Sequence, residues 1–253
     1  MGGVYVFPGG VVDAADSSPA LLERCTGRSE AEARAQLGVP EDALCYWVAA
    51  IRELFEESGV LLARHRDGSP LGLSDGDNSA RQSARLALNS GELSFADWIE
   101  REDLILDLGA LHYNAHWITP TTAGKRFDTY FFVARAPDDQ IAVHDDGETV
   151  AVVWTTPEDA FARHRAGEID MVLPTLRNLQ FIAGAGTAAE LCDRASALTA
   201  IPSILPRMVE SPEGPVLLVP GDVGYEDLPG APDDPRRFPE AARRRALWEN
   251  PPT

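Results

Sequence analysis

The stretch that decides the fold is Ile51-Arg52-Glu53-Leu54-Phe55-Glu56-Glu57-Ser58-Gly59-Val60. It closes a helix expected from about Ala43 to Ser58, with Gly59 as the residue that stops it. A helix turns about 100° per residue, so with Glu53 at zero, Glu57 falls at about +40° and Glu56 at roughly −60°. Leu44, Trp47, Val48, Ile51 and Phe55 fall within roughly 60° of the opposite direction. One face is suited to a core, and the other concentrates negative charge. Three carboxylates this close repel one another unless a cation sits among them. Hard divalent ions such as Mg²⁺ prefer oxygen ligands of this kind. Arg52 is adjacent and suited to hold a glutamate by a charge-assisted hydrogen bond. The helix alone also admits a plainer reading, a solvated acidic face, since Glu is a good helix former.

The rest of the chain is that of a globular protein of one or two domains, with 253 residues, 44% of them hydrophobic. Its 22 Lys and Arg against 40 Asp and Glu give a net charge of −18. Phosphate-rich surfaces would be repelled, so neither nucleic acid nor an anionic membrane is an expected partner. No apolar run reaches the ~18 residues of a membrane span. The opening MGGVYVFPGG lacks the basic start and long apolar stretch of a signal peptide. Cys25, Cys45 and Cys192 are scattered and odd in number, which fits reduced thiols and a cytoplasmic setting.

Working outward, Val4 to Phe7 reads as a short strand stopped by Pro8-Gly9-Gly10. Residues 11 to 42 are polar, with helical stretches such as Glu30 to Gln36. Strands are expected at Val60 to Ala63, Leu104 to Leu111, Arg126 to Ala134, Val150 to Trp154 and Val216 to Val219. Helices are expected at Ala80 to Asn89, Phe95 to Arg101, Leu173 to Ile182 and Ala188 to Leu198. Another runs from Pro157 to Ala166, with Thr156 as its cap and Pro157 at its first position. His65 to Ser79 has loop composition, and from Gly221 onward the chain is rich in Pro, Asp and Arg and expected to be loosely ordered. This mixed order favours an α+β or α/β sandwich fold over a barrel of regular βα units.

Gly9-Gly10 after a short strand, followed by Arg-Glu-Leu-Phe-Glu-Glu-Ser-Gly-Val at 52 to 60, resembles the Nudix box. All the fixed positions of the second half of the box are met. The first half departs from the pattern. Arg52 stands 42 positions after Gly10, where the family pattern allows about fourteen, so an insertion of roughly 28 residues lies inside the box. It falls at about 17–44, and Asp16 occupies the place of the usual early glutamate. A branch of Nudix hydrolases related to the peroxisomal coenzyme A diphosphatases carries Phe-Pro-Gly-Gly-Val, an insertion, then Arg-Glu-x-Phe-Glu-Glu-x-Gly, and this chain looks like that branch. His116-Trp117-Ile118-Thr119-Pro120 and Lys125 through Phe132 resemble its downstream segments. The likeness covers most of residues 4 to 182 and extends to 201 to 225.

The resemblance implies an α+β, Nudix-type α/β/α sandwich with a mixed sheet, occupying residues 1 to 200, and a partly disordered C-terminal extension at 201 to 253. It implies a diphosphohydrolase that cleaves a nucleoside diphosphate linked to a group X, with coenzyme A or an acyl-CoA as the substrate of the branch. ADP-ribose and dinucleotides are the alternative substrates, and a truncated, non-catalytic nucleotide-binding module is the alternative class. Mg²⁺ or Mn²⁺ would be held by Glu53, Glu56 and Glu57 with the backbone carbonyl of Gly9 or Gly10, and Arg52 belongs to the same machinery. Glu148 is placed where the family often has an extra metal ligand or general base; an acidic surface turn explains it equally. Lys125 and Arg126 would hold a phosphate, or form an ordinary solvent-facing pair. His116 and Trp117 would line the pocket, the indole stacking on a base, or pack at a strand end. His112 and His144 have no ligand-like spacing. Arg236-Arg237 and Arg243-Arg244-Arg245 read as a solvated basic stretch. The family fold carries a strand ahead of the Phe-Pro-Gly-Gly segment, where this sequence has six residues. The expectation is therefore a domain without its N-terminal strand, and less stable for it.

Overall fold

The helix expected from about Ala43 to Ser58 forms at Leu44–Ser58, in a computed structural model that describes residues 4–71, 75–120, 123, 125–138, 140, 142, 153–212 and 214–228. No side chain of its own caps its start. Instead the carboxylate of Glu30 accepts hydrogen bonds from the amides of Ala43 (2.8 Å) and Leu44 (3.0 Å), placing negative charge at the positive end of the helix dipole. Gly59, in the left-handed region at φ 75°, ends it by donating to the Phe55 carbonyl at 2.8 Å. Leu44, Trp47, Val48, Ile51 and Phe55 are all buried, as the periodicity expects.

Contacts group the chain into two units, Met1–His112 with Ala134–Thr155, and Tyr113–Val133 with Thr156–Thr253. This grouping interleaves the chain, whereas the expected division at 200/201 follows sequence texture. The first unit contains β1 (Val4–Tyr5), a 3₁₀ turn (Ala14–Ser17), α1 (Pro19–Leu22), β2 (Cys25–Thr26), α2 (Glu30–Leu37), α3 (Leu44–Ser58), β3 (Ala63–His65), α4 (Asp75–Asn89), α5 (Phe95–Arg101) and β4 (Leu104–Asp107). Its sheet has the order β2-β4-β3, with β2 parallel and β3 antiparallel to β4. The insertion at 17–44 thus folds, and it gives the sheet a parallel strand. The core lies on the apolar face of α3. Phe55 stacks on Trp98 of α5 with centroids 4.6 Å apart. The Trp47 indole donates to the Leu111 carbonyl at 3.2 Å, under the Arg28 guanidinium.

The second unit holds β5 (His112–Ile118, all but its first residue), β6 (Asp128–Val133), α6 (Pro157–Arg165), β7 (Asp170–Met171), α7 (Leu173–Ala183), α8 (Ala188–Ser196), β8 (Ser203–Ile204), β9 (Arg207–Ser211) and β10 (Gly214–Leu218). Its sheet runs β6-β5-β8, and β8 is parallel to β5, pairing Ser203 with His116. β9 and β10 form an antiparallel pair. Thr156 caps α6 as expected, accepting from the Asp159 amide. Parallel and antiparallel pairings beside helices make the fold α+β. Among the described residues no helix is long and apolar enough to cross a membrane, and Cys25, Cys45 and Cys192 form no disulfide.

Several element boundaries differ from expectation. The strand expected at Val60 to Ala63 lies at Ala63–His65. Leu61 is paired through its backbone with the Gln140 side chain, N–H to Oε1 at 2.7 Å and carbonyl to Nε2 at 2.9 Å, rather than with a strand. The expected strand Leu104 to Leu111 stops at Asp107 and turns through a 3₁₀ segment, Leu108–Ala110. There Gly109 passes so close to Gly27 that a side chain on Gly27 would strike its backbone. β5 then begins at His112, in a sequence too polar to advertise a strand. α4 starts at Asp75, inside the segment read as loop. β6 starts at Asp128, so Lys125 and Arg126 precede it. Of Val150 to Trp154 only 153 and 154 are described, and neither is in a strand. Residues 221 to 228, expected to be loose, are tied down. The buried Tyr225 hydroxyl donates to the Leu205 carbonyl at 2.9 Å, and Arg207 donates to the carbonyls of Tyr225 and Leu228. The basic stretch at 236 to 245 lies outside the described residues.

Because Phe55 is fully buried and stacked on Trp98, Phe55→Ala is expected to lower the unfolding free energy by about 3–5 kcal/mol. Urea denaturation measures it, and a midpoint equal to that of the parent would contradict this account of the core.

Candidate active site

The site is built where the 3₁₀ turn meets α3. Asp13 and Asp16 cap that turn reciprocally: the Asp13 carboxylate accepts from the Ala15 amide at 2.8 Å, and Asp16 accepts from the Asp13 amide at 2.7 Å. Asp16 is thereby fixed with its side chain 1% exposed. Such a buried carboxylate needs a partner, and the partner is Arg52, 12% exposed on α3. Arg52 Nε donates to Asp16 Oδ1 and Nη2 to Asp16 Oδ2, both at 2.9 Å. Nη2 also donates to the Val11 carbonyl at 2.9 Å. Nη1 donates to Glu53 Oε1 at 2.8 Å and to Glu56 Oε2 at 2.9 Å. All five N–H bonds of the guanidinium have acceptors. Burial by itself opposes the charge on Arg52. The hydrogen bond and charge of Asp16, then the charges of Glu53 and Glu56, outweigh it and raise the pKa, so Arg52 is a permanent cation. Asp16, at the place of the early glutamate, is thus the buried acceptor of Arg52.

The Gly9-Gly10 bend lies against the same helix face. The Gly9 amide donates to Glu57 Oε2 at 3.1 Å. A Cβ on Gly10 would overlap the Glu53 carboxylate where it now lies, so a larger residue there would displace that side chain. Gly9, Gly10, Asp16, Arg52, Glu53, Glu56 and Glu57 are thus brought together by side chains and backbone that are widely separated in sequence. Glu56 has its carboxyl pKa raised, first by burial, with Arg52 pulling the other way and Glu53 and Asp16 adding to the rise. One guanidinium does not offset this much negative charge.

The donor set suits a hard divalent cation, since it consists of carboxylate and backbone carbonyl oxygens. Glu53 uses Oε1 and Glu56 uses Oε2 on Arg52, which leaves each a second oxygen for another cation. Among the described residues no group of three or more His, Cys, Asp or Glu is gathered closely enough to hold a metal. The glutamates share a face but are tied to Arg52 and Gly9 rather than drawn round a common point.

Glu148 lies outside the described residues. The four other expected residues belong to the second unit. His116 is buried in β5, hydrogen-bonded through Nδ1 to Ser203 Oγ at 2.7 Å and through Nε2 to Asp128, and stacked on Tyr130. Trp117 is packed with Ala115, Ile204 and Val219, so its indole serves the core. Lys125 is exposed, with Nζ 4.9 Å from the centre of the Phe127 ring. Arg126 is exposed and donates from Nε to the Thr119 carbonyl at 3.2 Å. Two residues that sequence reasoning missed also reach the carboxylate helix. Arg85 and Asn89 of α4 donate to its last carbonyls. No local signal distinguishes them, because their partners are backbone atoms far away in the chain.

A family model described as the NUDT19 Nudix domain matches residues 24–182. Acyl-coenzyme A diphosphatase NUDT19 of Homo sapiens is 29% identical over 259 residues, which is 89% of this chain and 68% of that protein. The protein of the same name from Gallus gallus is 29% identical, covering 90% of this chain and 70% of its own. That of Xenopus laevis is 23% identical over 264 residues, covering 90% and 69%. A crystal structure of a NUDIX hydrolase from Alicyclobacillus acidocaldarius matches with a TM-score of 0.56 and 26% identity, over 79% of this chain and 82% of that one.

Removing the buried partner of Arg52 strands a charge. Asp16→Ala is expected to cost about 3–5 kcal/mol of stability, read from chemical denaturation. A change within roughly 0.5 kcal/mol, the range of ordinary surface substitutions, would show that the Asp16–Arg52 contact does not hold the turn to the helix.

Proposed function

The chain belongs to the NUDT19 Nudix domain family, and from that premise we propose that it hydrolyses the diphosphate linkage of coenzyme A and acyl-CoA with the aid of Mg²⁺ or Mn²⁺, acting in the cytoplasm. The observation that carries the reading is the carboxylate face of α3 seated on the Gly9-Gly10 bend, with Arg52 holding Glu53 and Glu56 and the Gly9 amide holding Glu57. The names of the relatives supply the substrate class. The free thiols of Cys25, Cys45 and Cys192 suit a reducing compartment.

Glu53, Glu56 and Glu57, with a backbone carbonyl of Gly9 or Gly10, would hold the cation. A bound divalent ion supplies charge neutralisation of the diphosphate and lowers the pKa of an attacking water. Arg52 orients two of the carboxylates through Nη1, and Asp16 keeps Arg52 in place. Gly10 leaves the space that the Glu53 carboxylate occupies. Lys125 and Arg126 supply exposed positive charge that suits a phosphate. His116 and Trp117 support β5 from within their unit. Glu148 is the proposed general base or additional ligand, by its position in the sequence. The cleavage is a hydrolysis: water adds at one phosphorus, the bridging oxygen leaves with the other, and coenzyme A yields adenosine 3′,5′-diphosphate and phosphopantetheine.

The test is product release from coenzyme A, an acyl-CoA, ADP-ribose and a dinucleotide, with Mg²⁺ or Mn²⁺ and after chelation. Coenzyme A compounds are expected to be cleaved fastest, and chelation to abolish turnover. Glu56→Gln and Glu57→Gln are expected to lower kcat by more than the roughly 10–100-fold that losing an outer partner of a metal site costs. Faster cleavage of ADP-ribose or the dinucleotide would replace the substrate. Binding of the nucleotides without turnover would make the chain a binding module. Full activity in both variants would remove the glutamates from the machinery.

A further inference from the structure

The last turn of a helix leaves its carbonyls without partners, and those of α3 are accounted for in an unusual way. Leu54 accepts from its own helix, through Ser58 Oγ at 2.6 Å, and Phe55 accepts from Gly59. Glu56 and Glu57 accept from α4 instead. Arg85 Nε donates to the Glu56 carbonyl at 2.8 Å, and Arg85 Nη2 donates to the Glu57 carbonyl. Asn89 Nδ2 adds a longer bond to the Glu56 carbonyl at 3.3 Å. Arg85 is 1% exposed. A guanidinium is costly to bury, and here it sits at the negative end of the helix dipole, where a cation is favoured. Gly59 lies beside it: a Cβ on that glycine would stand 3.5 Å from Nη1, an ordinary van der Waals distance. The turn that ends α3 therefore packs on the same group.

We propose that Arg85 is a positioning residue for the reaction: by bracketing the carbonyls of Glu56 and Glu57 it fixes the backbone from which their carboxylates reach the cation. The proposal rests on the function proposed above. Helix ends fray, and the two glutamates stand in the final turn of α3. Arg52 fixes the Glu56 side chain from one side, and Arg85 fixes its backbone from the other. A fork with two parallel donors sets the spacing of two adjacent carbonyls. A lysine at that place keeps the charge but not the fork.

The experiment uses the full chain with Arg85→Lys and Asn89→Ala. Mn²⁺ affinity is read by electron paramagnetic resonance of the free ion, alongside kcat and KM for coenzyme A and circular dichroism for the fold. Arg85→Lys is expected to keep its helix content, to bind Mn²⁺ about 10–100-fold more weakly, and to lose kcat with little change in KM. Asn89→Ala is expected to show the same pattern with a smaller loss. A residue that merely stabilised the fold would lower the melting temperature and leave Mn²⁺ affinity unchanged. A folded Arg85→Lys with parental Mn²⁺ affinity and kcat overturns the proposal. Should Arg85→Lys fail to fold, parental Mn²⁺ affinity in Asn89→Ala overturns it. Weakened Mn²⁺ binding in a chain that cleaves no coenzyme A compound would sink the proposed function and leave the role of Arg85 standing.

Discussion

The candidate site depends on the Arg52 guanidinium, which ties Val11 and Asp16 to Glu53 and Glu56. It is nearly buried, and it is tolerable there only because every donor is satisfied: two by Asp16, one by the Val11 carbonyl, and two by the glutamates of its own helix. That requirement explains why a short acidic turn must lie beside α3, and why aspartates fix that turn reciprocally. It also explains how like charges can share one helix face. The repulsion among Asp16, Glu53 and Glu56 is partly cancelled by the cation between them, and the residual negative charge faces the Gly9-Gly10 bend.

Rigidity on either side of this cluster comes from different physics. Behind α3, the Phe55–Trp98 stack and the buried Trp47 anchor it by apolar packing. At its N-terminus Glu30, from within the insertion, supplies the missing cap. At its C-terminus Arg85 and Asn89 take the last carbonyls. The insertion is therefore part of the domain's frame: it interrupts the box in sequence, yet it contributes a strand and a helix cap to the unit that carries the box.

What could be read from the sequence was what local rules decide. α3, its apolar face and its stop at Gly59 follow from periodicity and a glycine. α5 falls at Phe95–Arg101 as expected, and α6 is announced by Thr156 and Pro157. The shared face of Glu53, Glu56 and Glu57 is helix geometry alone. What could not be read depends on partners remote in the chain. Leu61 avoids a strand because Gln140 pairs with its backbone. β4 ends early because Gly27 and Gly109 approach. Arg85 looks like any surface arginine until α4 is packed on α3, and Trp117 looks like a stacking platform until its strand is covered. The family was legible because the second half of its motif is contiguous. The pairing of Asp16 with Arg52 was not, because 36 positions separate the two residues and the insertion between them hides the spacing.

In the proposed hydrolysis Arg52 and the glutamates act as one unit. A double-mutant cycle in kcat/KM for coenzyme A hydrolysis, with Arg52→Gln, Glu56→Gln and the pair, tests it most directly. Coupled residues give losses that do not add, so the account predicts that the double variant is barely slower than the slower single one. Losses that multiply independently would contradict it.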